Sequence, residues 1–151
     1  MRASWQQLVE ERLVKPHTTS HRELRDLREV VKRDLNDAVV PGLSADLSFA
    51  TAYNAALQLG RMVLACAGYR TDGPWHHQTT FRALEIAMGP EVADVADYFD
   101  ACRRKRNQVT YDLAHVATAG EAQELIANVR AFRDRVEDWI GVRYPHLRAR
   151  A

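Results

Sequence analysis

The side chains best suited to chemistry lie in one basic and polar stretch, RRKRNQVTYD at residues 103–112. Counting along a helix from Phe99 and Cys102, the next position on the apolar stripe is Arg106. An unpaired charge on such a stripe costs about 3–5 kcal/mol. We therefore expect Arg106 to be buried against an anion: a carboxylate, a carbonyl cluster, a residue of a partner subunit or a bound phosphate.

Two interpretations of Arg106 are open at this stage. In the first, its guanidinium binds a phosphate of RNA or of a nucleotide, because the planar fork of arginine matches phosphate oxygens. In the second, it forms a structural ion pair with Asp112 or with an acid on another helix, and the protein is a non-catalytic interaction or scaffold bundle. The basic run taken alone is also typical of a solvated helix end.

Two histidine pairs are further candidates. His76 and His77 precede a predicted short helix, where they could line a pocket, or His77 could cap or pack against that helix. His17 and His21 would share one face of a helix, as metal ligands require, but proline and a cap residue place them in a linker without an acidic or cysteine partner in register. The sequence therefore predicts no metal site and no cofactor.

Length and composition favour a single folded domain. The chain has 151 residues, of which 46% are hydrophobic, enough for a core that offsets the entropy lost on folding. The 21 basic and 20 acidic residues nearly balance, which argues against a long-range basic surface for nucleic acid but permits a local patch. The three tryptophans show no spacing typical of a stacking platform, so we expect them in the core or at an interface.

Several features indicate a cytoplasmic protein. The N-terminal residues carry charges throughout and do not resemble a signal peptide. Cys66 and Cys102 are the only cysteines, and we expect buried thiols in a reducing compartment rather than a disulfide or a zinc site. The apolar segment 47–67 has about the length of a membrane span but contains polar and small residues, so a buried central helix is favoured.

The hydrophobic periodicity predicts an all-α, up-and-down bundle of four main helices plus short extra helices. The predicted helices cover residues 4–14, 20–38, 44–67, 79–88, a segment from 91 onward, and 121–142. We find no alternating strand pattern of useful length. The predicted division is a short helix and linker at 1–19, the bundle at 20–142 and a tail at 143–151. Since helix 44–67 is apolar on nearly every side, it lies either at the bundle centre or at the interface of a homodimer.

Several short motifs in this order resemble those of the HEPN superfamily of helical nucleotide-binding and RNA-cleaving domains. Arg106-Asn107 matches the start of the family motif, in which an arginine and a polar residue are followed by a histidine. Tyr111 stands at the earliest position that this histidine takes. The resemblance covers roughly residues 22–140 and includes Tyr53 in the YNAA segment of the central helix, GYR at 68–70 and the His76-His77 pair.

The resemblance implies a homodimer with two copies of the motif facing one cleft, and metal-independent RNA cleavage. In that chemistry an arginine stabilises the phosphoryl oxygens and a histidine moves protons. It also implies a toxin–antitoxin pairing with a nucleotidyltransferase-type antitoxin. The catalytic candidates are Arg106 and Tyr111; the substrate-binding candidates are Asn107, Arg103, Asp112 and His115; the pocket candidates are Tyr53, His76 and His77.

The chain departs from the family pattern at the proton-transfer position. The unperturbed pKa of a tyrosine is about 10, so only about one molecule in 10³ would carry a phenolate base at pH 7. We therefore expect cleavage to be weak or absent unless Tyr111 moves the proton, or unless His115, which lies beyond the motif spacing, folds back to do so.

Overall fold

The structure is a computed structural model that describes residues 3–109 and 113–150. Six α-helices dominate these residues, which confirms the predicted all-α fold. In chain order the elements are α1 (Trp5–Glu10), β1 (Val14–Pro16), α2 (His21–Asp37), α3 (Ala45–Ala67), β2 (Tyr69–Thr71), α4 (His76–Met88), α5 (Ala93–Asn107) and α6 (Ala119–Arg143), with 3-10 turns at Pro90–Val92 and Pro145–Leu147.

Local signals in the sequence set the ends of the main helices. The hydroxyls of Ser20 and Ser44 accept hydrogen bonds from backbone N–H groups in the first turns of α2 and α3. Gly68 ends α3 with a left-handed φ of 97°, a conformation that glycine adopts without steric cost. At α6 a capping box joins Thr118 and Glu121, a signal that the sequence analysis did not use.

The central helix is α3, and it packs against α2, α4, α5 and α6. Its buried side chains surround the helix, including Phe49, Tyr53, Leu59 and Met62. Of the two positions predicted for this helix, the structure shows the bundle centre, although Leu47 in its first turn is 52% exposed. Among the described residues, no helix has the length and apolar character needed to cross a membrane.

Two three-residue strands were not predicted. They pair antiparallel, with Lys15 of β1 opposite Arg70 of β2. Segments this short contain too few residues for an alternating pattern to be recognised. Leu8 and Val14 are buried in a second apolar cluster with Leu64 of α3, so part of the predicted linker before residue 20 packs onto the bundle.

The predicted tail is also attached to the bundle. The guanidinium of Arg28 donates two hydrogen bonds to the carboxylate of Glu137, at 2.8 and 2.9 Å, and a third to the carbonyl of Leu147 at 2.9 Å. The side chain of Leu147 is buried in the main core. Residues beyond 142 therefore contribute contacts to the bundle, although the boundaries of the three predicted segments stay a prediction.

Candidate functional site

A large cavity of about 970 Å³ lies among α3, α4, the last turns of α5 and the β1–β2 pair. Leucine and alanine side chains of α2 and α3 form an apolar part of its wall, and basic and histidine side chains form much of the remainder. The wall includes Lys15, His17, Glu23, Leu57, Arg61, Leu64, Arg70, Asp72, Trp75, His76, His77, Arg103 and Asn107.

The acids in the cavity wall are already paired. Glu23 accepts a hydrogen bond from the hydroxyl of Thr19 at 2.6 Å and lies 2.8 Å from His17 Nε2. Burial raises the pKa of Glu23, but the hydrogen bonds from Thr19 and His17 outweigh that effect and the pKa is lowered. Asp72 lies 3.9 Å from the ammonium of Lys15. The remaining arginines therefore give this cavity a positive character.

A tyrosine and a histidine meet beside the cavity. A 3.0 Å hydrogen bond joins the hydroxyl of Tyr53, in the middle of α3, to Nδ1 of His77 in the first turn of α4. Tyr53 is only 1% exposed, and burial raises the pKa of its phenol, which keeps it protonated. The pKa of His77 is lowered, first by burial and then by the positive charges of Arg106 and Arg103.

The position of His77 depends on a close approach of α4 to α3. A Cβ atom at Gly60 would lie 2.5 Å from Cγ2 of Thr80, so a larger residue there would force the two helices or the Thr80 side chain to shift. Thr80 is fully buried, and its hydroxyl donates a 2.7 Å hydrogen bond to the carbonyl of His76. The first turn of α4 is thus held against α3, and the ring of His77 lies within reach of Tyr53.

Arg103 is the partly buried arginine of α5. Its side chain is 18% exposed and its Nε donates a 2.8 Å hydrogen bond to Asp100. Arg103 and Asn107, four residues apart on one helix face, both line the cavity. Arg103 and Asn107 are therefore the two predicted candidates of α5 that lie in the cavity wall.

The prediction that Arg106 is buried was wrong. Arg106 is exposed, and Cys102 is the last buried residue of α5. The final turn of the helix extends beyond the core, so the periodicity that predicted an inward position no longer implies burial. Among the described residues Arg106 forms no ion pair, yet its positive charge contributes, after burial, to the lowered pKa of His77.

Other candidates have mixed outcomes. His76 Nδ1 lies 2.8 Å from the hydroxyl of Thr71, and His77 contacts Tyr53 rather than capping α4. His115 is exposed, has a positive φ of 60° and does not line the cavity. Tyr111 and Asp112 lie outside the described residues.

Trp75 differs from its predicted place in the core or at an interface. It is 67% exposed, has a positive φ of 70° and lines the cavity directly before α4.

Lys15, Arg61 and Arg70 were not predicted as site residues, because their approach to the cavity depends on long-range packing that no local pattern encodes. Within the described ranges, no cluster of three or more histidine, cysteine, aspartate or glutamate residues could hold a metal ion. Cys66 and Cys102 are both buried and free, as predicted.

Comparison with known families connects this geometry to the resemblance found in the sequence. A family model described as HEPN-like matches residues 43–137, well over half of the chain. The matched region begins just before α3, ends within α6 and contains Tyr53, His77, Arg103 and Arg106. Searches of curated proteins and of solved structures find no significant match.

Proposed function

The chain belongs to the HEPN superfamily, and we propose that it binds RNA or a nucleotide through phosphate at the cleft between α4 and the end of α5. The observation that carries this proposal is the convergence of two arginines on the contact between the buried Tyr53 and the exposed His77. Arg103 and Arg106 both act electrostatically on His77 and on Tyr53. A phosphate placed among these groups would meet two guanidinium groups and an imidazole.

The cavity suits the remainder of a nucleotide. Its volume of about 970 Å³ falls within the upper range for small-molecule sites, which are typically ~300–1,000 Å³. The exposed indole of Trp75 offers a surface on which a base can stack, an interaction worth roughly 1–3 kcal/mol per base.

A structural ion pair is the competing role for Arg106. That role needs a carboxylate near the guanidinium, and no such pair forms among the described residues. It also needs burial, because ion pairs between exposed groups contribute only about 0–1 kcal/mol. The exposure of Arg106 argues against a structural ion pair with the described residues and leaves its guanidinium accessible to a ligand.

The proposal extends to the oligomeric state, the protein partner and the cellular location of the chain. The exposed guanidinium of Arg106 is available to a second copy of the chain, so a symmetric homodimer with two motifs at one cleft fits its position. A nucleotidyltransferase-type antitoxin is the partner that a toxin role would require. The two free, buried thiols are compatible with a reducing cytoplasm. Sedimentation as a monomer at micromolar concentration would contradict the homodimer.

The binding test uses fluorescence anisotropy of a labelled single-stranded RNA. We expect Arg106→Ala to weaken binding about 10-fold or more, since hydrogen bonds to charged groups contribute about 1.5–3 kcal/mol. Arg104→Ala is the matched control, because Arg104 belongs to the same basic run, is 64% exposed and bonds to Asp100 at 3.3 Å. Its affinity should stay within about 2-fold of the original.

Salt dependence separates a phosphate contact from a general loss of charge. Loss of one phosphate contact lowers the slope of log K against log salt by about 1. That change should appear in Arg106→Ala and not in Arg104→Ala. Equal affinity of the Arg106→Ala variant and the original chain, or equal losses in both variants, would rule out the proposed site.

A further inference from the structure

We propose that the cavity has a second phosphate-binding subsite, formed by Arg61 of α3, Lys15 of β1 and Arg70 of β2, and that its ligand is a nucleoside with a phosphate on both its 5′ and its 3′ side. This inference rests on the proposed phosphate binding at the end of α5 and deepens it, because it names the class of nucleotide. A free nucleoside 3′,5′-bisphosphate and an internal unit of RNA share this chemistry.

The two strands bring like charges together in the cavity wall. Lys15 and Arg70 lie directly opposite each other in the antiparallel pair, and both line the cavity. Side chains of such a pair project from the same face, with Cβ atoms about 4.5–5.5 Å apart, and like charges there destabilise the pairing. One acid partly offsets them, since Asp72 lies 3.9 Å from the ammonium of Lys15. Among the described residues Arg70 forms no ion pair, so the pair keeps an excess of positive charge that a bound anion would neutralise.

A ladder of hydrogen bonds holds Arg61 at the cavity wall. The buried carboxylate of Asp34 accepts from Asn54 Nδ2 at 2.6 Å. Gln58 Nε2 donates to Asn54 Oδ1 at 3.2 Å, and Arg61 Nη1 donates to Gln58 Oε1 at 2.7 Å. Because an ionised carboxylate only accepts, the direction of every bond is fixed and the ladder ends on the guanidinium. The other N–H groups of Arg61 are left to bind a ligand.

The acid on which Arg61 acts is already occupied. Burial raises the pKa of Glu23, whereas hydrogen bonds from Thr19 and His17 and the charges of His17 and Arg61 lower it. The Glu23 carboxylate is hydrogen-bonded to Thr19 and lies 2.8 Å from His17 Nε2. Within the described part of the chain, no ion pair joins it to Arg61. The guanidinium of Arg61 therefore keeps its charge available at the cavity wall.

The two basic sets lie at different levels along α3. Arg103 and Arg106 act on Tyr53, and Arg61 follows eight residues later, from 53 to 61. Eight residues correspond to about 12 Å along the axis of an α-helix. Arg70 lies beyond the end of α3. A single phosphate at the level of Tyr53 therefore leaves the second set without an anion, whereas a nucleoside with two phosphates supplies one to each set.

The binding test titrates the full chain with adenosine 3′,5′-bisphosphate and with adenosine 5′-monophosphate by isothermal titration calorimetry. We expect the bisphosphate to bind about 10-fold or more tightly, the gain that a charged hydrogen bond supplies. Arg61→Gln should remove this advantage. Arg25→Gln is the matched control, because Arg25 is a 70% exposed arginine of α2 that does not line the cavity. The advantage should persist in that variant.

Thermal unfolding distinguishes a binding role of Arg70 from a structural one. Arg70→Gln removes one of two like charges that face each other, so Tm should stay the same or rise. The affinity for the bisphosphate should nevertheless fall about 10-fold. A lower Tm with unchanged affinity would show that Arg70 serves the fold and would overturn the subsite.

A short single-stranded RNA distinguishes the two sources of the ligand. If Arg61→Gln weakens RNA binding in fluorescence anisotropy as it weakens bisphosphate binding, an internal unit of RNA occupies both subsites. If it weakens bisphosphate binding alone, the ligand is the free nucleotide. Either result supports the second subsite.

The failure of this inference can be told apart from failure of the proposed function. The second subsite is overturned if the bisphosphate and the monophosphate bind equally well, or if Arg25→Gln loses as much affinity as Arg61→Gln. If Arg106→Ala still weakens RNA binding in either case, the phosphate site at the end of α5 stands alone. If the original chain binds neither RNA nor the nucleotides, the proposed function fails and this inference fails with it.

Discussion

The hydroxyl of Tyr53 lies 3.0 Å from Nδ1 of His77, and this contact joins the most buried helix of the protein to the edge of its cavity. Tyr53 is part of the core, whereas His77 stands in the first turn of α4 beside the two arginines of α5. The buried Tyr53 therefore holds the His77 ring in position, and the charges of Arg103 and Arg106 lower its pKa. Variants that alter either influence should have separable effects.

The charge of Arg106 should be measurable at His77. Since Arg106 lowers the pKa of His77, Arg106→Ala should raise that pKa towards the unperturbed value of about 6.5. NMR titration of the histidine ring protons measures this directly. Arg104→Ala, which removes an exposed charge from the same helix, should leave the titration of His77 in place. A raised pKa in both variants would show that His77 responds to overall charge and not to Arg106.

The free energy of unfolding should depend on pH through His77. The pKa of His77 is lower in the folded chain than the unfolded value of about 6.5, so the unfolded state binds more protons between these two values. The protein should therefore lose stability as pH falls through about 6.5 towards the folded pKa. Urea unfolding between about pH 5 and pH 7.5 measures the slope, which should be smaller in His77→Asn. If the pH dependence of the free energy of unfolding were the same in His77→Asn as in the original chain, His77 would not be its source.

The contact between α3 and α4 predicts that one substitution can restore the stability lost through another. Gly60→Ala should lower the free energy of unfolding by about 1–3 kcal/mol, because the new methyl group would lie 2.5 Å from Thr80 Cγ2. Thr80→Ser removes that methyl and keeps the hydroxyl that donates to His76. The double variant should therefore recover much of the loss. Chemical denaturation of all four proteins tests this, and purely additive effects would argue against a direct overlap.

Local signals in the sequence were sufficient to predict the main helices. The cap residues Ser20 and Ser44, the end of α3 at Gly68 and the apolar stripe of α6 were predicted from spacing alone, because each depends on residues within a turn or two. The strands β1 and β2 were missed, since they pair residues separated by the whole length of α2 and α3. Long-range pairing of three-residue segments leaves no local pattern.

The candidate site was predicted less well, for a related reason. Helical phase placed Arg106 on the face of Phe99, but phase does not reveal where the neighbouring helices end, and the last turn of α5 is exposed. For His77 we favoured capping or packing against the following helix over a role in a pocket. Its contact with Tyr53 depends on how α4 packs against α3, which the sequence does not reveal. The residue types were informative, whereas their burial and partners required the packed structure.

A buried carboxylate in α2 gives a final prediction. Asp34 is 4% exposed and accepts a 2.6 Å hydrogen bond from Asn54 Nδ2 and a 3.0 Å hydrogen bond from Arg33. Asn54→Ala removes the inner donor and leaves the carboxylate under-satisfied, so the free energy of unfolding should fall by about 1.5–3 kcal/mol. Asn36→Ala is the matched control, since Asn36 is an exposed asparagine of the same helix α2. Its effect should stay within about 0.5 kcal/mol. Urea denaturation measures both, and equal losses would show that the contact between Asn54 and Asp34 contributes no special stability.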